Sequence, residues 1–351
     1  MPIPPVLNAL LTAHGPSGYE TAPAAAWRDA ASAFAEVEVD NMGTSTATVP
    51  GTAGGVRVTI VGHIDEIGLI VTHIDDKGYA YFSGVGGWDP QILVGQRVSV
   101  QTKDGPIPGV VGRKPIHLLE ADDRKKVVEL KELHIDVGAA DGDEAKSLLR
   151  IGDVAVIDAD PVELPNGRAA SRSMDNRLGA FVAYEVARLV AEAGGAPGEV
   201  IAVAAVQEEI GLNGARASAY RIAPDAAIVV DVTHATDAPG IDVKQLGEHV
   251  LGSGPVLERG STLSPALFEL LHAAGEREEI PFTVAASAGR TGTDADVIHF
   301  ARGGIPTTCV SIPLRYMHSP VELVQMDDVL NAAKLIAAAL LKLEPGTTFN
   351  R

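Results

Sequence analysis

The stretch Val56-Arg57-Val58-Thr59-Ile60-Val61-Gly62-His63-Ile64-Asp65 decides the fold, because an apolar, strand-like run ends there on a histidine and a carboxylate. Two more runs end alike: Val200 to Val206 leads to Gln207-Glu208-Glu209, and Ala226 to Val230 leads to Asp231. A fourth, Thr307 to Ile312, is followed shortly by Met317-His318-Ser319. In open α/β sheets the ligand crevice lies outside the carboxyl ends of the strands, so strand-end residues from distant parts of a chain converge on one site. The expected class is α/β, with a mixed sheet sandwiched by helices.

Working outward, the 351 residues exceed the usual single-domain size, so a large core plus a smaller module is expected. From about Leu69 to Leu164 short Val- and Ile-rich runs alternate with turn signals such as Asp76-Lys77-Gly78, Gly84-Val85-Gly86-Gly87 and Lys103-Asp104-Gly105. This predicts an inserted all-β domain over residues 69–165, splitting an α/β domain made of residues 1–68 and 166–351. Helical patterns run from Val6 to His14, Pro23 to Phe34, Asn176 to Glu192 and Val329 to Leu341. The charged stretch Glu120 to Lys126 reads as a solvated loop.

A net charge of -18 argues against a polyanion partner, since nucleic-acid affinity rests on Lys and Arg neutralising phosphates. The single cysteine, Cys309, rules out an intramolecular disulfide and a Cys-rich zinc site. The N-terminus has no basic region followed by a hydrophobic stretch, and no run of 18 apolar residues occurs, so a cytoplasmic protein without membrane attachment is expected.

Two-metal hydrolases set their cations about 3.5–4 Å apart, which calls for a bridging carboxylate and further His, Asp or Glu donors on each side. The chain supplies such a set. His63 and Asp231 would hold one cation, Glu209 and His318 the other, and Asp175, in Ser173-Met174-Asp175-Asn176-Arg177, would bridge them. Two divalent metal ions per subunit are implied, and the mixed nitrogen and oxygen donors suit zinc, cobalt or manganese. Glu208 is expected as general base and acid, taking a proton from the attacking water and passing it to a leaving amine. Asp65 is placed to fix the His63 tautomer. Singly, each element has a plainer reading, Asp175 and Asn176 as a helix cap for instance. Jointly, unpaired charges at the ends of apolar strands would be costly.

The order Gly62-His63-Ile64-Asp65-Glu66-Ile67-Gly68, Met174-Asp175-Asn176-Arg177, Gln207-Glu208-Glu209-Ile210-Gly211-Leu212, Asp231-Val232-Thr233-His234-Ala235 and Arg315-Tyr316-Met317-His318-Ser319-Pro320 resembles the M42 family of dinuclear metallopeptidases. These are the tetrahedral aminopeptidases, with members named glutamyl or deblocking aminopeptidase and others labelled endoglucanase or cellulase. The likeness extends to Gly86-Gly87-Trp88-Asp89-Pro90-Gln91 in the insert. It implies a metallo-aminopeptidase acting on peptides, with the same five ligands and the same base. It also implies a PDZ-like or barrel-like insert that governs homo-oligomers, from dimers to a tetrahedral dodecamer. Thr291-Gly292-Thr293-Asp294-Ala295 resembles a family segment near the substrate pocket, which makes Asp294 a candidate, and Arg315 is expected either at substrate or paired with a carboxylate. Two rivals remain. A glycosidase needs two carboxyl groups and no metal pair, and its clefts favour aromatic faces, which a chain only 4% aromatic supplies poorly. A peptide-binding scaffold would work through the insert.

Overall fold

The computed structural model describes residues 2–350. The strands Gly198–Ala205, Gly55–His63, Ala226–His234 and Thr307–Arg315 lie side by side, all parallel, at the centre of an 11-stranded sheet. Antiparallel strands extend it on both sides: Ser45–Val49 and Glu36–Val39 at one edge, and Glu322–Gln325, Arg168–Ser171 and Val162–Leu164 at the other. The expected mixed sheet is present.

Period-two alternation explains why the central strands read as continuous apolar runs. Val58 and Ile60 face one hydrophobic cluster while Val61 faces another, and Val200, Ala202 and Ala204 divide in the same way from Ile201, Val203 and Ala205. Helices cover both faces. The first cluster is closed by helices Pro5–Thr12, Thr21–Ala31, Met174–Glu192 and Met326–Leu340, the second by Asn213–Ile222 and Ala295–Ile298. Helix Met174–Glu192 comes very close to the sheet: a Cβ on Gly62 would lie 2.1 Å from the carbonyl carbon of Gly179. Only glycine permits that approach, and it draws the start of the helix toward the end of the His63 strand.

Between His63 and the Val162–Leu164 strand the chain forms a closed antiparallel barrel of six strands, in the order Gly68–Ile74, Ala80–Val85, His134–Asp136, Gly105–Gly112, Arg97–Thr102 and Val154–Ile157. It has its own core around Leu69, Val98, Val100, Leu133 and Ile135. Closure removes the exposed edges that a small sheet would otherwise carry. Within the insert, helix Gly142–Leu148 buries Ala145 in this core and is started by Asp141, whose side chain accepts from the Glu144 N–H. The charged stretch around Asp122–Lys126 is exposed apart from a half-buried Asp123 and contains one short 3-10 turn. Among the described residues no helix is long and apolar enough to cross a membrane.

Candidate functional site

The carboxyl ends of the three central strands and the turn after the fourth meet in a cavity of about 340 Å³. His63, Asp175, Glu208, Glu209, Asp231 and His318 all line it. Two groups of potential ligand atoms lie within 4.8 Å of one another, His63 with Asp175 and Glu209, and His63 with Glu208 and Asp231.

Asp175 lies between the two imidazoles: Oδ1 is 3.3 Å from His63 Nε2 and Oδ2 is 3.4 Å from His318 Nε2. Glu209 Oε1 stands 3.2 Å from His318 Nε2, and Glu208 Oε2 is 3.7 Å from His63 Nε2. Asp175 is not a helix cap. It and Asn176 have non-helical backbone angles at the start of Met174–Glu192, and the peptide joining them is cis. Asn176 does the capping: its Oδ1 accepts from Gly179 N–H at 2.8 Å, while its Nδ2 donates to the Val230 carbonyl at 2.8 Å, one residue before Asp231.

Other side chains fix these positions. Asp65, fully buried, accepts from the Glu208 and Glu209 N–H groups at 3.1 and 3.2 Å and from Ser17 Oγ at 2.5 Å. Its Oδ1 is 3.3 Å from His63 Nδ1, though out of line for a formed hydrogen bond, so the ring nitrogen is close to its acceptor without engaging it. Glu322 accepts from Asp175 N–H at 3.1 Å and from His318 N–H at 2.8 Å, tying two predicted ligands through one buried carboxylate. The Gly87 carbonyl in the insert lies 2.8 Å from His318 Nδ1 and accepts from it when that nitrogen carries the proton, leaving Nε2 toward Asp175. Behind the site, Glu66 bridges the buried guanidinium groups of Arg172 and Arg177. Arg177 also donates to the carbonyls of Leu10, Ala13 and Ile64.

Glu322, Asn176, Ser17 and the Gly87 carbonyl carry no ligand-type signal at a strand end, so strand-end reasoning passes over them. Asn176 alone had a cue, lying next to Asp175. Arg315 points away from the cavity and forms a two-pronged ion pair with Asp237, at 3.1 and 2.5 Å. Asp294 is 1% exposed, does not line the cavity, feels the charges of His63 and Asp65, and has no hydrogen-bond partner at either oxygen.

The electrostatics show what the donor set needs. Burial, reinforced by Asp231, Asp294 and Glu209 and opposed by His63, pushes Glu208 up to about 10. Burial likewise raises Glu209, lifts Asp231 well above the carboxylate range and moves Asp294 up to about 7. Hydrogen bonding to Asp175 and Glu209 lifts His318 to about 11. Burial works against a charge on His63, yet Glu208, Asp175 and Asp65 hold it well above its usual value. Burial opposes ionisation of Asp175 too, but His318 and His63 keep it low. The cluster is thus rich in carboxylates that repel one another, with imidazoles as the cationic partners. Divalent cations that accept both imidazole nitrogen and carboxylate oxygen fit this donor set.

Comparison with known proteins points the same way. The family model described as M42 glutamyl aminopeptidase matches residues 43–335. A lysyl aminopeptidase of Pyrococcus furiosus is 38% identical over 312 residues, covering 88% of each chain. Among solved structures, a TET aminopeptidase from a marine sediment Thaumarchaeota archaeon superposes with a TM-score of 0.91 at 36% identity, covering 97% of this chain and 96% of that one. A TET1 peptidase of Pyrococcus horikoshii, described as able to assemble into a tetrahedron or a large octahedral shell, gives a TM-score of 0.85 at 31% identity over 96% and 99% of the two chains.

Proposed function

The chain belongs to the M42 glutamyl aminopeptidase family and is an aminopeptidase, and we propose that it removes single N-terminal residues from peptides with two divalent cations held in the strand-end cluster. His63 and Asp231 would hold one, Glu209 and His318 the other, and Asp175 would bridge them. The observation that carries this reading is the position of Asp175, with one oxygen toward each imidazole. Zinc fits the donors, with cobalt or manganese as alternatives. When bound, such cations polarise the scissile carbonyl and lower the pKa of water.

The protein's own residues then divide the work. Glu208 and Glu209 follow one another after a central strand, Asp65 holds both of their N–H groups, and their carboxylates diverge, Glu208 toward His63 and Glu209 toward His318. Glu209 faces His318, which leaves Glu208 as the base. Without cations, burial and the neighbouring carboxylates keep Glu208 protonated; cations held by those carboxylates would relieve the repulsion and leave it ionised to take the proton of the attacking water and return it to the departing amine. Glu209 and Asp231 are the carboxylates available to a free α-ammonium group. Residues 1–68 and 166–351 would form the catalytic unit, and the insert over 69–165 would carry assembly into a homo-oligomer. The assemblies described for the Pyrococcus horikoshii relative support that part of the proposal, as do the exposed side chains of Ile116, Leu118 and Val127.

The test is release of free amino acids from matched free and N-acetylated peptides, with and without a chelator. Release from free peptides alone, abolished by the chelator and restored by zinc, cobalt or manganese, is expected. Equal turnover of blocked peptides would refute recognition of the α-ammonium group.

A further inference from the structure

The cavity wall outside the charged cluster is formed by Val232, Thr233, His234, Thr291, Thr293 and Met317, together with Gly292. Strand alternation places Thr233 on the same side as Asp231, two residues earlier, so Thr233 faces the space beside the reacting centre. Nothing in this wall carries a fixed charge. The guanidinium of Arg315, two residues before Met317, is held by both oxygens of Asp237 and does not line the cavity. Arg290, just before Thr291, is largely exposed and turned to Asp296. Asp294 is buried and does not line the cavity.

We infer that the subsite for the N-terminal side chain selects neutral residues, such as Leu and Met, over Glu and Lys. The inference rests on the aminopeptidase reading and extends it to substrate class. A charged side chain lying along this wall gives up water and finds no opposite charge in it, because the carboxylates of the cluster are taken up by the cations and the α-ammonium group, a cost that neutral side chains escape. Met317 and Val232 provide apolar contact, and the threonine hydroxyls can meet a polar group without favouring either sign of charge. The reading departs from the names of relatives: the 38% identical chain is called a lysyl aminopeptidase, and the matching family model is called glutamyl. Specificity therefore has to come from wall residues that differ within one fold.

The test is kcat/KM of the metal-supplemented, full-length protein on X-Ala-Ala peptides with X as Leu, Met, Glu or Lys. The expected result is at least a tenfold advantage for Leu and Met over both charged residues. A smaller advantage, or a preference for Glu or Lys, overturns the inference while leaving the aminopeptidase reading intact. Failure to cleave any of the four overturns both. Two substitutions ask whether the wall is responsible. Thr233→Arg and, independently, Thr291→Lys should each raise the ratio of Glu to Leu turnover at least tenfold. If both variants still cleave the Leu peptide and neither moves the ratio, the wall assignment is wrong.

Discussion

Asp294 offers a prediction whose size follows from its surroundings. It is 1% exposed, both oxygens lack partners, and burial lifts its pKa from the ordinary 3.8 to about 7. In the metal-free protein the folded state therefore binds a proton between those values that the unfolded chain has already released. Stability from this group is fully present below about pH 4 and is lost as pH rises through about 7. Each tenfold change in proton affinity is worth about 1.4 kcal/mol, so the whole loss is about 4 kcal/mol. Asp294→Asn keeps the shape and removes the charge. Thermal melts of chelator-treated wild type and variant at pH 4, 5, 6 and 7 should start close together and then separate, with the variant several degrees more stable at pH 7 and little further change at pH 8. Parallel curves across that range would refute the reasoning, because they would mean that the Asp294 carboxylate is stabilised by a partner or by water.

Two further outcomes are expected. Arg177→Ala removes a fully buried guanidinium from Glu66 and from three backbone carbonyls, so urea unfolding should show a loss of about 3–5 kcal/mol; a loss below 1 kcal/mol would mean that this network contributes little. Gly86→Ala places a methyl 2.6 Å from Ile67 Cγ2 and 3.2 Å from Glu209 Oε2, at a φ of +76° that favours glycine. Displacing Glu209 and the adjoining Gly87 carbonyl should weaken binding of one of two metal equivalents at least tenfold in a calorimetric titration, and unchanged binding would show that the insert does not shape the site.

Much of this architecture is visible in the chain because charged residues stand directly after apolar runs. The runs ending at His63, Val206 and Val230 are buried on both faces between helices, which is why they lack polar alternation, and their final residues emerge together at one end of the sheet. His318 does not end a strand. It reaches the cluster from the turn after Thr307–Arg315, with φ at +58°, and short spacing after an apolar run was sufficient to single it out. What stayed hidden is of another kind. Glu322 acts by accepting backbone N–H groups and Gly87 by offering a backbone carbonyl, so neither is recognisable from side-chain type, and Asn176 is readable as a cap but not as a tie to Val230. The pairing of Arg315 with Asp237 depends on a strand end and a turn, 78 residues apart in sequence, meeting in space. Closure of the insert into a barrel likewise depends on pairing between Gly68–Ile74 and Val154–Ile157, more than 80 residues apart, which local periodicity does not reveal.

The most direct test of the central claim is to measure bound metal and turnover together in wild type and Glu208→Gln, by equilibrium dialysis against zinc and by amino-acid release from free peptides. The account predicts two metal equivalents per chain in both proteins and a loss of at least 100-fold in kcat in the variant, the scale of a removed general base. A Glu208→Gln protein that keeps full turnover, or a wild type that turns over peptides with no bound metal, would contradict it.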